Sequence, residues 1–187
     1  VNVFGMAEVS RVFLPLVKMT KGRIVNTASV AGRMGFPGSA AYGVSKYAVE
    51  GFSETLRAEL AVFGIKVHII EPGFHATNLL SLDKMKAGSG ECWEALSDEL
   101  KEEYPKDYHN RNLELIEDMV SKLASNKLDD VVDCYEHALL SYFPRGRYMP
   151  GKDAKLLWWP LSCMPEYVRD WFFNRDPLKP IPKSCRK

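Results

Sequence analysis

The hydrophobic and polar positions of this chain alternate between helical spacing and short uninterrupted apolar runs. The first stretch predicts a helix that ends in the polar turn KMTKG. Its apolar residues follow a helical pattern, at Val3, Phe4, Ala7, Val12, Leu14 and Val17. The run RIVNTAS, residues 23–29, contains β-branched residues between Gly22 and Gly32. It therefore predicts a short buried strand.

The same order of elements then repeats. Ser39 is a candidate N-cap for a long helix, whose apolar face would consist of Val44, Ala48, Val49, Phe52, Leu56, Leu60 and Phe63. After Gly64, the run IKVHIIEPG predicts a second buried strand that ends at Pro72 and Gly73. This order of elements predicts an α/β fold with a doubly wound parallel sheet, of which the chain would hold one half.

Residues from 78 to about 128 are rich in charge and helical in pattern, with a flexible break expected at KAGSGE. An insertion of this length between core elements is often an active-site lid. A core-type pattern returns in the helix DDVVDCYEHALLSYF and the short strand RYMPG. We therefore divide the chain into the C-terminal half of a catalytic domain, residues 1–151 with a lid at about 78–128, and an aromatic, proline-rich and irregular extension, residues 152–187.

Composition narrows the range of partners. The net charge of +1 balances 25 basic against 24 acidic residues, which argues against a nucleic-acid partner. The four cysteines are widely spaced, with no Cys-x-x-Cys pair, which favours free thiols in a reducing compartment and no metal site. The longest uncharged run near the C-terminus, LLWWPLSCMP, is about half the ~20 residues that a membrane-spanning helix needs. No transmembrane helix is predicted.

Two Tyr-x-x-x-Lys pairs occur in the chain. Tyr148 and Lys152 are separated by Pro150 and Gly151, which break a helix, so their side chains would not share one face. Tyr42 and Lys46 lie one turn apart in a well-patterned helix. There the lysine ammonium would favour ionisation of the phenol, as a general base needs.

The segment NTASVAGRMGFPGSAAYGVSK resembles the active-site segment of the short-chain dehydrogenase/reductases. This resemblance implies a Rossmann-like fold and NAD or NADP as the cofactor. It also implies that Ser29 polarises the substrate oxygen, that Tyr42 is the general acid/base, and that Lys46 assists Tyr42 and holds the nicotinamide ribose. VNVFG resembles the family's asparagine helix, so Asn2 would support a water-mediated proton relay to the lysine.

EPGFHAT resembles the Pro-Gly-x-x-x-Thr element of the same family, which implies that Pro72, Gly73 and Thr77 bracket the nicotinamide carboxamide. The family's Gly-rich phosphate loop has no counterpart in the 187 residues, and the chain begins inside a helical pattern without an initiator Met. We therefore expect the chain to be cut at its N-terminus and to be a poor dehydrogenase alone.

Each of these residues also has a simpler interpretation. Ser29 by itself would be a strand-end serine, Asn2 a helix-terminal polar residue and Thr77 a helix cap. His75 is expected to be a loop histidine and His68 a packed or edge histidine. Glycines within the long helix, Gly43 and Gly51, would mark close packing. The apolar stripe Tyr167, Val168, Trp171 and Phe172 would pack in the core, with a membrane-surface or substrate-entry patch as the alternative.

Within the family, RYMPGKDAKLLWWPLSCMPEYV resembles the microsomal retinol and hydroxysteroid dehydrogenases, whereas KGRIVN and GRMGFP also resemble the mitochondrial D-3-hydroxybutyrate dehydrogenase. A retinoid or steroid needs an apolar cleft and a short hydroxy acid needs a cation, for which Arg33 and Lys84 are candidates. The lipophilic alcohol or ketone is favoured by apolar lid and tail residues, namely Trp93, Leu96, Met119, Trp158 and Trp159.

The resemblance further implies a homo-oligomer when the protein is full length. It places the protein inside the cell at the endoplasmic reticulum membrane, with the mitochondrion as the alternative. A hypothesis of another class is that the chain is a non-catalytic fragment or interaction module with half of a dehydrogenase fold.

Overall fold

The computed structural model describes residues 2–175 and 180–185. The predicted alternation of helices and strands is confirmed in the first part of the chain, with α1 at Phe4–Met19, β1 at Arg23–Thr27, α2 at Ala40–Leu60 and β2 at Lys66–Ile70. A short 3-10 helix, Val30–Gly32, lies between β1 and α2. Ser39 occupies the N-cap position of α2, but its hydroxyl donates to the Phe36 carbonyl at 2.9 Å and does not cap the helix.

The charge-rich region is helical, with α3 at Leu82–Glu94, α4 at Asp98–Glu103 and α5 at Lys106–Leu123. The flexible break expected at KAGSGE is wrong, because α3 runs through it without interruption. Gly88 and Gly90 have open space around them, and an ion pair of 2.5 Å between Lys86 and Glu117 joins α3 to α5. Contacts with α5 therefore offset the low helix propensity of the two glycines.

The rest of the chain contains α6 at Asp129–Leu140, β3 at Arg147–Tyr148, a π-helical segment at Ala154–Trp158, α7 at Trp159–Ser162 and α8 at Glu166–Asn174. The extension predicted to be irregular is thus mostly helical up to Asn174. Pro160 is compatible with helix because it lies near the beginning of α7, where an N–H group is not needed. In the predicted apolar stripe of α8, Tyr167 and Trp171 are exposed, so core packing is wrong for these two residues.

The chain forms two compact units. The first comprises the residues up to Gly73 together with Lys127–Pro165, and the second comprises Phe74–Asn126 with the described residues from Glu166 onward. In the first unit all three strands are parallel in the order β1-β2-β3, with Arg23 paired to Lys66 and Ile70 paired to Tyr148. Among the described residues, no helix is long and apolar enough to cross a membrane.

The central strand β2 carries the core of the first unit. Val67 packs with Leu60 and Ile65, whereas Ile70 packs with Ala138 of α6 and Tyr148 of β3. The first strand was predicted to be buried, but in β1 only Asn26 is fully buried. The difference follows from its place at one edge of the described sheet, whereas β2 has a neighbour on each side.

Two glycines of the first unit provide a test of backbone conformation. Gly51 lies inside α2 with nothing within 4 Å of an added Cβ atom, so its predicted close packing is wrong. We expect Gly51→Ala to raise the free energy of unfolding by about 0.5–1 kcal/mol, measured by urea denaturation. Gly64 has a φ of +72°, so the matched variant Gly64→Ala should lower it by about 1 kcal/mol. Equal effects of the two variants would contradict this account.

Candidate active site

The predicted site residues of the first unit lie at the carboxyl ends of β1 and β2. Ser29 follows β1, Pro72 and Gly73 follow β2, and Tyr42 lies in the first turn of α2. Open parallel sheets bind ligands outside this edge, because the loops that follow neighbouring strands meet there. A backbone hydrogen bond of 3.2 Å from the Val30 N–H to the Pro72 carbonyl joins the two loops directly.

Ser29 has an extended backbone and serves as the N-cap of the short 3-10 helix. Its Oγ accepts a hydrogen bond of 3.2 Å from the Ala31 N–H. The simpler interpretation, a turn serine, therefore describes its local contact. Because a hydroxyl can accept and donate at once, the Ser29 proton can still be directed to another oxygen.

Tyr42 and Lys46 share one face of α2, as their spacing predicts. The Lys46 Nζ atom lies 5.6 Å from the centre of the Tyr42 ring and donates a hydrogen bond of 3.1 Å to the Thr27 carbonyl. Both side chains are half-buried. Burial lowers the pKa of the Lys46 ammonium, and the negative charge of Glu50 opposes that change. The lysine is thus held at the end of β1 beside the phenol.

Asn2 lies next to α2 and contacts it near the Tyr42–Lys46 face. Its side-chain amide donates to the Ser45 Oγ at 3.0 Å, and Ser45 in turn donates to the Tyr42 carbonyl at 2.7 Å. Asn2 therefore contacts α2 at Ser45, the residue that precedes Lys46. A water-mediated relay from Asn2 to Lys46 stays a prediction.

Position 73 requires a residue without a side chain, because the Asp153 carboxylate lies against it. A Cβ atom at Gly73 would collide with the carboxylate of Asp153, which also accepts a hydrogen bond of 3.1 Å from the Trp158 indole. The Gly73 N–H donates to the Pro150 carbonyl at 3.0 Å. Trp158 is buried with its ring edge-to-face against Phe36, at 4.9 Å between ring centres. Trp158 is therefore a packing residue within its unit, although the apolar composition of the tail favoured a role in binding a lipophilic substrate.

Thr77 belongs to the second unit and precedes a 3-10 helix, Asn78–Leu80, without a side-chain capping bond. Its predicted cofactor contact stays a prediction. His75 is a buried loop residue in a backbone bridge with Ser125. His68 is buried within β2, where its Nδ1 lies 2.6 Å from the Arg145 carbonyl, which confirms the packed histidine. Burial lowers the pKa of the His68 imidazole.

The second Tyr/Lys pair is not a site. The Tyr148 hydroxyl accepts a hydrogen bond of 2.8 Å from the Arg145 N–H and lies 2.9 Å from the His137 Nδ1 atom. Tyr148 is buried, whereas Lys152 is exposed. All four cysteines are free thiols. Among residues 2–175 and 180–185, no cluster of three metal-ligating side chains occurs.

Gly32 brings the loop after Ser29 against α2, a role that the sequence pattern did not reveal. An added Cβ atom would lie 2.9 Å from the Lys46 carbonyl oxygen and 2.9 Å from the Glu50 Cγ atom. Close approach of these two backbones therefore needs a residue without a side chain. The only sequence signal was the glycine that follows the strand.

A buried ionic network, which the sequence did not reveal, lies directly behind these residues. The Arg147 guanidinium of β3 bonds the carboxylates of Glu50, Glu54 and Glu71. Arg33, from the loop after Ser29, forms a second ion pair with Glu71 at 2.9 Å. We refer to these five residues as the Arg147 network. It joins α2, β3, the end of β2 and the loop after Ser29.

Three carboxylates share two guanidinium groups in this network, so the buried members are strained electrostatically. Burial and the negative charge of Glu71 raise the pKa of Glu50 to about 7, although Arg147 opposes that change. Glu71 is fully buried, whereas the side chain of Glu54 is more than half exposed. With this raised pKa, the carboxyl of Glu50 titrates near neutral pH.

This raised pKa predicts a pH dependence of stability. A carboxyl whose pKa is higher in the folded chain stabilises the fold below its unfolded pKa, and the contribution is lost as the pH rises through the folded value. Between pH 5 and 8, we expect the free energy of unfolding of the wild type to fall by about 2–3 kcal/mol relative to Glu50→Gln. Urea denaturation at several pH values measures this difference.

Glu54→Gln provides the control, because Glu54 contacts the same Arg147 but is largely exposed. Its profile should stay parallel to that of the wild type. Parallel profiles for wild type and Glu50→Gln would show that Glu50 does not titrate in this range.

Comparison with known proteins relates this arrangement to a family. The model of the family described as short chain dehydrogenase matches residues 1–87. A solved short-chain dehydrogenase from Streptomyces avermitilis is 26% identical, with a TM-score of 0.60 over 91% of this chain and 57% of its own. One from Burkholderia cenocepacia, in complex with NADP, is 20% identical with a TM-score of 0.56, covers 91% of this chain and 55% of its own, and supports the fold alone.

Curated relatives are more similar in sequence. Dehydrogenase/reductase SDR family member 9 of Bos taurus is 43% identical over 96% of this chain and 56% of its own length. The 3beta-hydroxysteroid dehydrogenase dhs-16 of Caenorhabditis elegans is 43% identical over 91% and 44%, and retinol dehydrogenase 7 of Rattus norvegicus is 41% identical over 96% and 56%. The chain thus spans about half the length of the curated relatives it matches. With its parallel Rossmann-like α/β fold, it belongs to the short-chain dehydrogenase/reductase family and resembles the retinol and hydroxysteroid dehydrogenase branch.

Proposed function

We propose that the protein is an NAD(P)-dependent oxidoreductase that interconverts an alcohol and a carbonyl on a lipophilic skeleton of the retinoid or steroid type. The observation that carries the proposal is the Tyr42–Lys46 pair on α2, which a hydrogen bond from Lys46 to the Thr27 carbonyl holds at the carboxyl end of β1, the strand that Ser29 follows. A helical Tyr/Lys pair elsewhere on a surface would lack both the strand ends and the serine.

The residues present fit the nicotinamide end of a dinucleotide. Lys46 uses one of its three N–H donors on the Thr27 carbonyl, which leaves donors for a ribose hydroxyl. Gly73 offers backbone without a side chain at the end of β2. The 187 residues contain no Gly-x-x-x-Gly-x-Gly sequence, so pyrophosphate binding is assigned to no residue of this chain.

Proton transfer is assigned to Tyr42. In oxidation, Tyr42 takes the proton of the substrate hydroxyl, and in reduction it returns that proton to the carbonyl oxygen. Lys46 stabilises the negative charge on the phenolate, because its ammonium lies 5.6 Å from the ring centre. Ser29 donates to the same substrate oxygen while Ala31 holds its Oγ. When NAD or NADP is bound, its nicotinamide accepts or supplies the hydride.

The lipophilic substrate class is supported by the names of the relatives and by the position of one arginine. Two relatives are named as retinol and 3beta-hydroxysteroid dehydrogenases. Arg33, a candidate to bind the carboxylate of a short hydroxy acid, is already paired with the buried Glu71. Breaking that pair would leave a buried carboxylate with one guanidinium fewer, which is costly. Lys84 is exposed and remains the other candidate cation.

The second unit contains a cleft whose walls do not distinguish between a lipophilic and a charged substrate. Its α3 and α5 enclose an open cleft of about 450 Å³ that contains Trp93 and Leu113. The same walls carry charged groups, namely Lys86, Glu94, Lys106, Glu114 and Glu117. This cleft therefore does not resemble the long apolar channel that the lid composition predicts.

Substitution of the pair tests the catalytic assignment in the protein expressed from its complete coding sequence. We expect Tyr42→Phe to lower kcat at least about a hundredfold, because the ring remains and the transferable proton is lost. Lys46→Met should lower kcat and weaken cofactor binding together. Tyr47→Phe, on an exposed neighbour in the same helix, should leave turnover unchanged. Half of the wild-type rate in either of the first two variants would refute the assignment.

Competing substrates test the proposed class. We expect kcat/KM to be higher for a retinol or an androstane alcohol than for D-3-hydroxybutyrate, with NAD or NADP, because each buried methylene contributes about 0.8 kcal/mol. A preference for the hydroxy acid would overturn the substrate class and leave the roles of Tyr42 and Lys46 intact. No turnover of any alcohol, together with intact folding, would favour the non-catalytic interaction module.

A further inference from the structure

The amino end of the sheet in the first unit carries three neighbouring segments, residues 17–22, 61–66 and 139–146, which we call the basal edge. Each segment leads into one strand, and all three strands are parallel, so the segments meet at one edge. The Lys66 N–H donates to the Gly22 carbonyl at 3.2 Å, which joins the first two segments. The Arg23 guanidinium donates to the carbonyls of Ala138 and Ser141 at 2.8 and 2.7 Å. These bonds join the third segment to the beginning of β1.

The basal edge exposes large apolar side chains, namely Met19, Val62, Phe63, Leu140, Tyr142 and Phe143. Tyr142 and Phe143 are 83% and 82% exposed, and their rings stack edge-to-face with 4.7 Å between centres. Single exposed apolar residues are normal, but several on one face mark a binding surface. Both aromatic rings lie in the short connection between α6 and β3, where no core packing requires them.

The charge of the basal edge has one sign. Its three segments contain Lys18, Lys21, Lys66 and Arg145, all exposed, and no aspartate or glutamate. The whole chain, in contrast, has a net charge of only +1. Lys18 places its ammonium 3.8 Å from the centre of the Phe63 ring, so basic and apolar groups are interleaved on this surface.

Interleaved basic and aromatic groups match the surface of a negatively charged bilayer. Aromatic rings favour the depth of the lipid headgroups, and lysine and arginine are attracted to anionic lipids. A second copy of the chain fits less well, because a two-fold interface would bring the same four positive charges face to face.

We propose that the basal edge is a docking surface for anionic lipid bilayers. Tyr142 and Phe143 enter the headgroup region, and Lys18, Lys21, Lys66 and Arg145 contact lipid phosphates. The surface lies at the opposite end of the strands from Ser29, Pro72 and Gly73. Docking there leaves the candidate active site accessible from the opposite edge.

Vesicle co-sedimentation tests the surface without any measurement of catalysis. We expect the chain to bind vesicles of phosphatidylcholine mixed with phosphatidylserine, to bind pure phosphatidylcholine much less, and to dissociate as salt is added. The aromatic variant Tyr142→Ser/Phe143→Ser and the charge variant Lys18→Gln/Lys21→Gln should each weaken binding about tenfold or more. Circular dichroism should show that both variants keep the wild-type fold.

Matched substitutions away from the basal edge control for exposure and charge alone. Leu156 is 77% exposed, and Lys152 and Lys155 are both exposed in the segment after β3. Leu156→Ser and Lys152→Gln/Lys155→Gln should bind as the wild type does. Equal binding by all variants, or equal binding to both lipid mixtures, would overturn the proposal. A dimer that Tyr142→Ser/Phe143→Ser abolishes, without vesicle binding, would overturn it in favour of self-association.

Discussion

The ionic contacts of Arg147 are the constraint on which the first unit depends. Glu71 is fully buried at the end of β2, so its charge is tolerated only because Arg147 and Arg33 lie against it. Buried ion pairs add little net stability, but removal of one partner leaves a charge without compensation. The network therefore restricts the arrangement of the unit more than it stabilises it. The loop after Ser29 and β3 must lie where the guanidinium groups of Arg33 and Arg147 can both reach Glu71.

The candidate site gains its geometry from that restriction. Glu50 of the network lies one turn after Lys46, and Arg33 lies a few residues after Ser29. Together with the hydrogen bond from Val30 to Pro72, these contacts fix the loops after β1 and β2 relative to α2. Tyr42 and Ser29 do not need to hold each other in place. Among the described residues, no hydrogen bond joins the Tyr42 and Ser29 side chains, and the Ser29 Oγ is held by the Ala31 N–H.

The sequence predicted those parts of the fold that depend on local pattern. Helical spacing located α1 and α2, and two apolar runs located β1 and β2, because burial of one face repeats at the period of the element. The KAGSGE segment was misjudged because the support of α3 comes from a helix that follows it in the chain. Arg147 and Glu50 are 97 positions apart, so no local pattern could reveal their contact. Helical spacing singled out Tyr42 and Lys46, whereas Ser29 was identified through a family resemblance. The catalytic roles of all three residues remain predictions.

Gly73 and Asp153 have a consequence for how this protein can change over generations. The carboxylate of Asp153 fills the volume that any side chain at position 73 would need. Substitution of the glycine first would expel a buried group that also holds the Trp158 indole, whereas a smaller residue at position 153 would open the space beforehand. The two positions are therefore epistatic, and the order of substitution matters. A lineage that loses Asp153 first gains tolerance at position 73, whereas the reverse order passes through an overpacked intermediate.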